Sequence, residues 1–86
     1  MESSYEKIGR VTHFYPKASV AIFELISSLK KGDKILVRGS TTKIEQIIDS
    51  MESEHAQVLM AEPGKPIGVR VNGRVRENDI VYRVKS

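Results

Sequence analysis

"SLKKGDKILVRG", Ser28 to Gly39, is the stretch that decides the fold. If Lys30-Lys31-Gly32 ends a helix, the chain is a mixed α/β miniprotein. If Lys31-Gly32-Asp33 is a turn into a strand, it is a small β-barrel. Local rules favour the helix. Ala18, Ala21, Ile22, Leu25, Ile26 and Leu29 fall at helical spacing. Lys30 and Lys31 would then sit at the negative end of the helix dipole, with Gly32 as the residue just beyond it. Further on, Ile44, Ile47, Ile48 and Met51 are spaced i, i+3, i+4, i+7, and Thr42 with Glu45 fits a capping box. This reading gives two helices, over 18–31 and 42–54, ahead of three strands.

Strand signals run through the same segments. Ser19-Val-Ala-Ile-Phe is rich in β-branched and aromatic residues. Ile35 and Val37 alternate with Lys34, Leu36 and Arg38. Gln57-Val-Leu-Met, Ile67-Gly-Val-Arg-Val and Ile80-Val-Tyr-Arg-Val are strand-like and separated by Pro-Gly, Asn-Gly and Asn-Asp. Short strands with a turn every ~8–12 residues mark a sandwich or barrel.

The 86 residues set one domain as the expectation, with residues 1–6 as a loose tail and 7–85 as the body. No apolar run approaches ~20 residues, and no basic-then-apolar leader opens the chain, so neither a membrane span nor a secretory signal is expected. The sequence contains no cysteine. That removes a disulfide frame, a cysteine zinc site and a cysteine nucleophile together, and a cytoplasmic location is the expectation. The net charge of +3 is unevenly spread. Residues 1–43 carry eight Lys/Arg against four Asp/Glu, residues 44–64 carry five acidic residues and no Lys/Arg, and residues 65–86 carry six basic against two acidic. Folding could therefore separate a basic face from an acidic one, and a basic face points to a polyanion. The ordinary alternative is a solvated surface.

The order of motifs resembles the second domain of translational GTPases, the β-barrel that follows the G domain in elongation factors. The matching residues are Gly9-Arg10-Val11, Leu29-Lys-Lys-Gly-Asp-Lys-Ile35, Met51 with His55, Ala61-Glu-Pro-Gly-Lys-Pro-Ile-Gly68 and Asp79-Ile80. A related barrel also occurs as an accessory domain at the end of some collagenase-like peptidases. The resemblance spans Ile8 to Val84 and implies an all-β, closed or partly open Greek-key barrel, a translation elongation factor-like protein. Under it Lys31-Gly32-Asp33 is a turn and Ile44–Met51 a strand. One departure concerns Gly64-Lys65-Pro66, where the family places an acidic residue and an asparagine beside the aminoacyl end of tRNA. Proline has no amide side chain and no N–H, and lysine reverses the charge, so that contact is not expected here.

Chemistry is sparse. Gly39-Ser-Thr-Thr-Lys43 and Pro63-Gly-Lys65 lack P-loop spacing, so neither GTP nor another nucleotide is expected. His13 and His55 are the only histidines, and Glu52-x-x-His55 has no evident partners, so no metal or other cofactor is expected. No nucleophile motif is present and the chain is expected not to be an enzyme. The expected site is a basic surface: Arg10, His13, Tyr15, Lys17, Arg38, Lys43, Arg70, Arg74 and Arg76. Arg70 lies between Val69 and Val71 and faces out if they face in. Asn72-Gly73 reads as a hairpin turn presenting Arg74 and Arg76. His13 and Tyr15 alternate on one strand face and offer stacking surface beside charge. The expected partner is RNA or the ribosome. The alternative is a protein-interaction domain docking on an enzyme or translation factor. No membrane partner is expected.

Overall fold

A computed structural model describes residues 4–85, and every regular element in it is a strand. The strands are β1 (Ser4–Tyr15), β2 (Val20–Leu25), β3 (Leu29–Lys30), β4 (Lys34–Arg38), β5 (Lys43–Ile47), β6 (Met51–Ser53), β7 (Ala56–Gln57), β8 (Met60–Ala61), β9 (Ile67–Arg70) and β10 (Ile80–Lys85). Eight of them form one curled sheet in the order β5-β4-β10-β1-β2-β9-β6-β7, and β3 pairs with β8. All described pairings are antiparallel. The all-β expectation holds and the two-helix alternative is overturned. Ser4, Tyr5 and Glu6, expected in a loose tail, begin β1 and face Lys85, Val84 and Arg83 of β10. Residues 1–3 of that expected tail lie outside the described residues.

Two side-chain choices decide against the helices. A helical stripe over 18–31 would bury Ile26 and leave Phe23 off the core face. Phe23 is fully buried and Ile26 is 63% exposed, because β2 turns Ala21, Phe23 and Leu25 inward at period two. A helix over 42–54 would bury Ile47 and expose Gln46. Instead Thr42, Gln46 and Ile48 are buried and Ile47 is 60% exposed. The expected single strand Ile44–Met51 is in fact two, β5 and β6, broken at residues 48–50.

The Lys31-Gly32-Asp33 turn forms as expected. The Asp33 N–H donates to the Lys30 carbonyl at 3.0 Å, and Gly32 sits at φ +95°, which fits the third position of a type II turn. The Asp33 carboxylate closes it by accepting from the Lys30 N–H at 2.9 Å, three residues back rather than two residues on. From β10, the Arg83 guanidinium donates to the Ser28 carbonyl and to Glu6 and lies 3.6 Å from Asp33. The turn is thereby fastened to the sheet.

The curl must then be closed. The outermost neighbours in the sheet are β5 at one side and the β9–β6–β7 group at the other. Gln46 of β5 spans the seam: its Nε2 donates to the Arg70 carbonyl at 2.9 Å, and its Oε1 accepts from the Asn72 N–H at 2.7 Å. One buried amide side chain thus satisfies a backbone donor and a backbone acceptor that no ladder reaches. Inside the curl pack Ile8, Val11, Phe23, Ile35, Val37, Ile48, Met51, Ile67, Val69, Val75 and Val81. Register shifts in β1 between Lys7 and Gly9 and between Val11 and His13 bend this 12-residue strand around that core.

Replacing Gln46 by alanine should strand both backbone groups. A loss of roughly 2–4 kcal/mol in urea unfolding is expected, against less than about 0.5 kcal/mol for Ile47→Ala on the exposed face of the same strand.

Candidate functional site

The register gathers the sequence-predicted cations at one rim. Lys43 faces Arg38 across the β4–β5 hairpin, Arg38 faces Ile80, Ile80 faces Arg10 and Arg10 faces Glu24. These residues form one transverse row on the outer surface. Like charges directly opposite on one face oppose folding, by up to roughly 1 kcal/mol, and neither Arg38 nor Lys43 has a carboxylate within ion-pair distance among the described residues. Arg10 is paired: its guanidinium lies 3.4 Å from Glu24 and donates to Asn78 Oδ1 at 3.1 Å.

A second outward row runs Tyr15, Val20, Arg70. Val69 and Val71 are buried and Arg70 is exposed, as the alternation predicts. Lys17 lies in the turn from β1 to β2. His13 and Tyr15 pack on each other, with ring centroids 4.3 Å apart at a 59° tilt, so they are not a flat stacking platform. His13 Nδ1 is also 3.6 Å from Glu77.

Between the two rows lies the loop 71–79, which carries exposed Arg74 and Arg76. Here an expectation fails. Asn72-Gly73 is not a hairpin turn: neither residue has the positive φ that a type I′ turn requires, and the chain returns to β10 only at Ile80. The Gln46 clamp holds the start of this loop. Its end is held by Asp79, a buried residue that the sequence reading used as part of a motif but not as a site residue. The Asp79 carboxylate accepts from the Arg76 N–H at 2.8 Å, and its carbonyl accepts from Val11 at 2.8 Å. Gly39 makes room for that carboxylate, since a Cβ there would overlap Oδ1 of Asp79. The signal was present only as a buried acid beside a glycine far away in sequence.

The opposite end differs in character. There Lys34 pairs with Glu45 at 2.9 Å, Lys65 with Glu54 at 2.8 Å, and Lys85 and Arg83 with Glu6 at 3.2 and 3.1 Å. The hydrogen bond from Lys65, and then its charge, holds the Glu54 carboxyl below the ordinary glutamate value and lifts the Lys65 ammonium above the ordinary lysine value. This contribution is present above the ordinary glutamate pKa and fades as pH falls through the depressed one. At the alkaline end it fades as pH rises through the raised lysine pKa. Both side chains are solvent-exposed, so water screens the pair. Shallow grooves of about 370, 560 and 390 Å³ meet at Lys65 and Pro66, with Leu59 and Met60 exposed nearby on and beside β8. Glu54 and His55 form the two-residue turn between β6 and β7, both at positive φ, which gives His55 a turn role. Among the described residues no group of three His, Asp or Glu side chains could hold a metal ion, and no helix is long and apolar enough to cross a membrane.

No family model matches the chain. It is 48% identical over 87 residues to a protein of Methanocaldococcus jannaschii described as "Uncharacterized protease MJ0090", covering 98% of this chain and 21% of that one. The chain therefore spans about a fifth of the length of the curated relative it matches. Among solved structures it resembles the C-terminal domain of a putative U32 peptidase from Geobacillus thermoleovorans, with a TM-score of 0.84 at 17% identity over 91% of each chain. The selenomethionine form of that domain gives 0.83 at 18% identity. These findings overturn the elongation-factor identification, and with it the reading as a translation-factor-like module for RNA or the ribosome. The motifs behind that reading are turn and strand-start signals, which report an all-β architecture and not a partner.

Gly39→Ala is expected to lower stability by about 1–3 kcal/mol, because Asp79 must move or lose its bond to Arg76. Ser40→Ala, one residue on, should change it by less than about 0.5 kcal/mol. Thermal unfolding of the two variants side by side checks the contrast.

Proposed function

We propose that this chain is a non-catalytic accessory domain working beside a peptidase catalytic unit. The observation that carries the proposal is the match of nearly the whole chain, at 48% identity, to a fifth of a protein described as a protease. The fold likeness to the C-terminal domain of a putative U32 peptidase supports the same reading. The curled sheet counts here as a partly open Greek-key barrel, its seam bridged by Gln46 and its two sides joined through residues 48–50.

The chemistry of the chain agrees with an accessory role. Among its buried polar side chains, Thr42, Gln46 and Asp79, Gln46 and Asp79 serve to hold backbone in place. What it offers is surface: a basic rim at one end, and an apolar, grooved end around Leu59, Met60 and Pro66 at the other. A domain with two such ends can pack against a catalytic unit by one and meet a substrate with the other.

Purified chain incubated with fluorescein-labelled casein should release no label above a protein-free blank. Label release that co-elutes with the 86-residue chain on gel filtration, and disappears when the chain is unfolded, would contradict the proposal.

A further inference from the structure

Six cations, Lys17, Arg38, Lys43, Arg70, Arg74 and Arg76, share the rim described above, and none has a carboxylate within ion-pair distance among the described residues. At the far end Lys34, Lys65, Arg83 and Lys85 are all paired, although Lys7, Lys30 and Lys31 are not. Three carboxylates by the rim are engaged elsewhere, and a fourth, Glu52, lines a shallow groove with Arg70 without pairing to it. Glu24 lies against Arg10, Glu77 against His13, and Asp79 is buried under the Arg76 N–H.

The rim is also held in shape. Gln46 fixes the backbone on either side of Val71, at Arg70 and at Asn72, and Asp79 fixes that of Arg76. Arg38 and Lys43 stand on a paired hairpin. A preorganised array of cations loses little freedom on binding. Four of the six are arginines, whose planar forks match carboxylates two bonds at a time.

We infer that this rim docks acidic segments of polypeptide. The inference rests on the accessory-domain reading, since a peptidase's partner is a polypeptide chain. A single-stranded nucleic acid would use the same charges and also draw on flat aromatic faces for its bases. The rim's two rings, His13 and Tyr15, are tilted against each other.

The test is fluorescence anisotropy with labelled deca-glutamate at low salt, using deca-lysine and single-stranded deca-uridylate as comparisons. Deca-glutamate should bind, weaken as salt rises, and exceed both comparisons. The double variant Arg74→Glu/Arg76→Glu should weaken binding about tenfold. Lys30→Glu/Lys31→Glu changes the net charge equally at the far end and should stay within about twofold. Unfolding midpoints show that each variant is folded, and Arg38→Gln/Lys43→Gln serves as a second rim variant if the first is not. Equal weakening by rim and far-end variants, absence of deca-glutamate binding, or tighter uptake of deca-uridylate would each overturn the inference. The accessory-domain reading fails on a different result, casein cleavage by the chain alone.

Discussion

One buried amide side chain holds the two sides of this sheet together. A curled sheet of eight strands leaves backbone groups at its seam that water cannot reach and no neighbouring strand can pair. Gln46 supplies a donor to Arg70 and an acceptor to Asn72 in one residue. A charged or apolar side chain could satisfy at most one of them. The clamp also sets where loop 71–79 begins, and Asp79 sets where it ends. The position of the basic rim is therefore a consequence of how the curled sheet is bridged.

Charge follows from the same geometry. The basic residues come from the two ends of the sequence, and the acidic stretch 44–64 lies between them. Antiparallel pairing of β1 with β10 and of β4 with β10 brings Arg10 and Arg38 to one row around Ile80. Lys43 joins the row because the hairpin register places it opposite Arg38. Repulsion within such a row works against folding, and an anionic partner would relieve it. The far end combines ion pairs with exposed Leu59 and Met60.

At 18–31 and 42–54 the residues alone left helix and strand open, and Gly32 suited a helix end as well as a turn; it was the resemblance to a small β-barrel that chose the strands and the turn. Phe23 was the discriminating residue for β2, since a helical stripe leaves it without a core. At β5 the signal was masked: a polar residue, Gln46, faces inward and an isoleucine, Ile47, faces out. Asn72-Gly73 misled because its usual hairpin role is displaced by the Gln46 clamp on the same segment. The residues of the rim were visible one by one, but their assembly depends on register, which no single segment encodes. The elongation-factor resemblance misled for a general reason. Gly-Asp and Pro-Gly turns are what a small barrel needs to change direction, so they report the architecture and not the partner.

If this rim, and not the grooved end, meets acidic polypeptide, the two ends must respond differently to the same ligand. The most direct measurement is an amide nitrogen–proton NMR titration of the uniformly labelled chain with deca-glutamate. Docking at the rim predicts saturable shifts confined to the β4–β5 hairpin, the β1–β2 turn and residues 70–78, with Leu59, Met60 and Lys65 unmoved. Shifts centred on Leu59 to Pro66, or spread evenly over both ends, would contradict it.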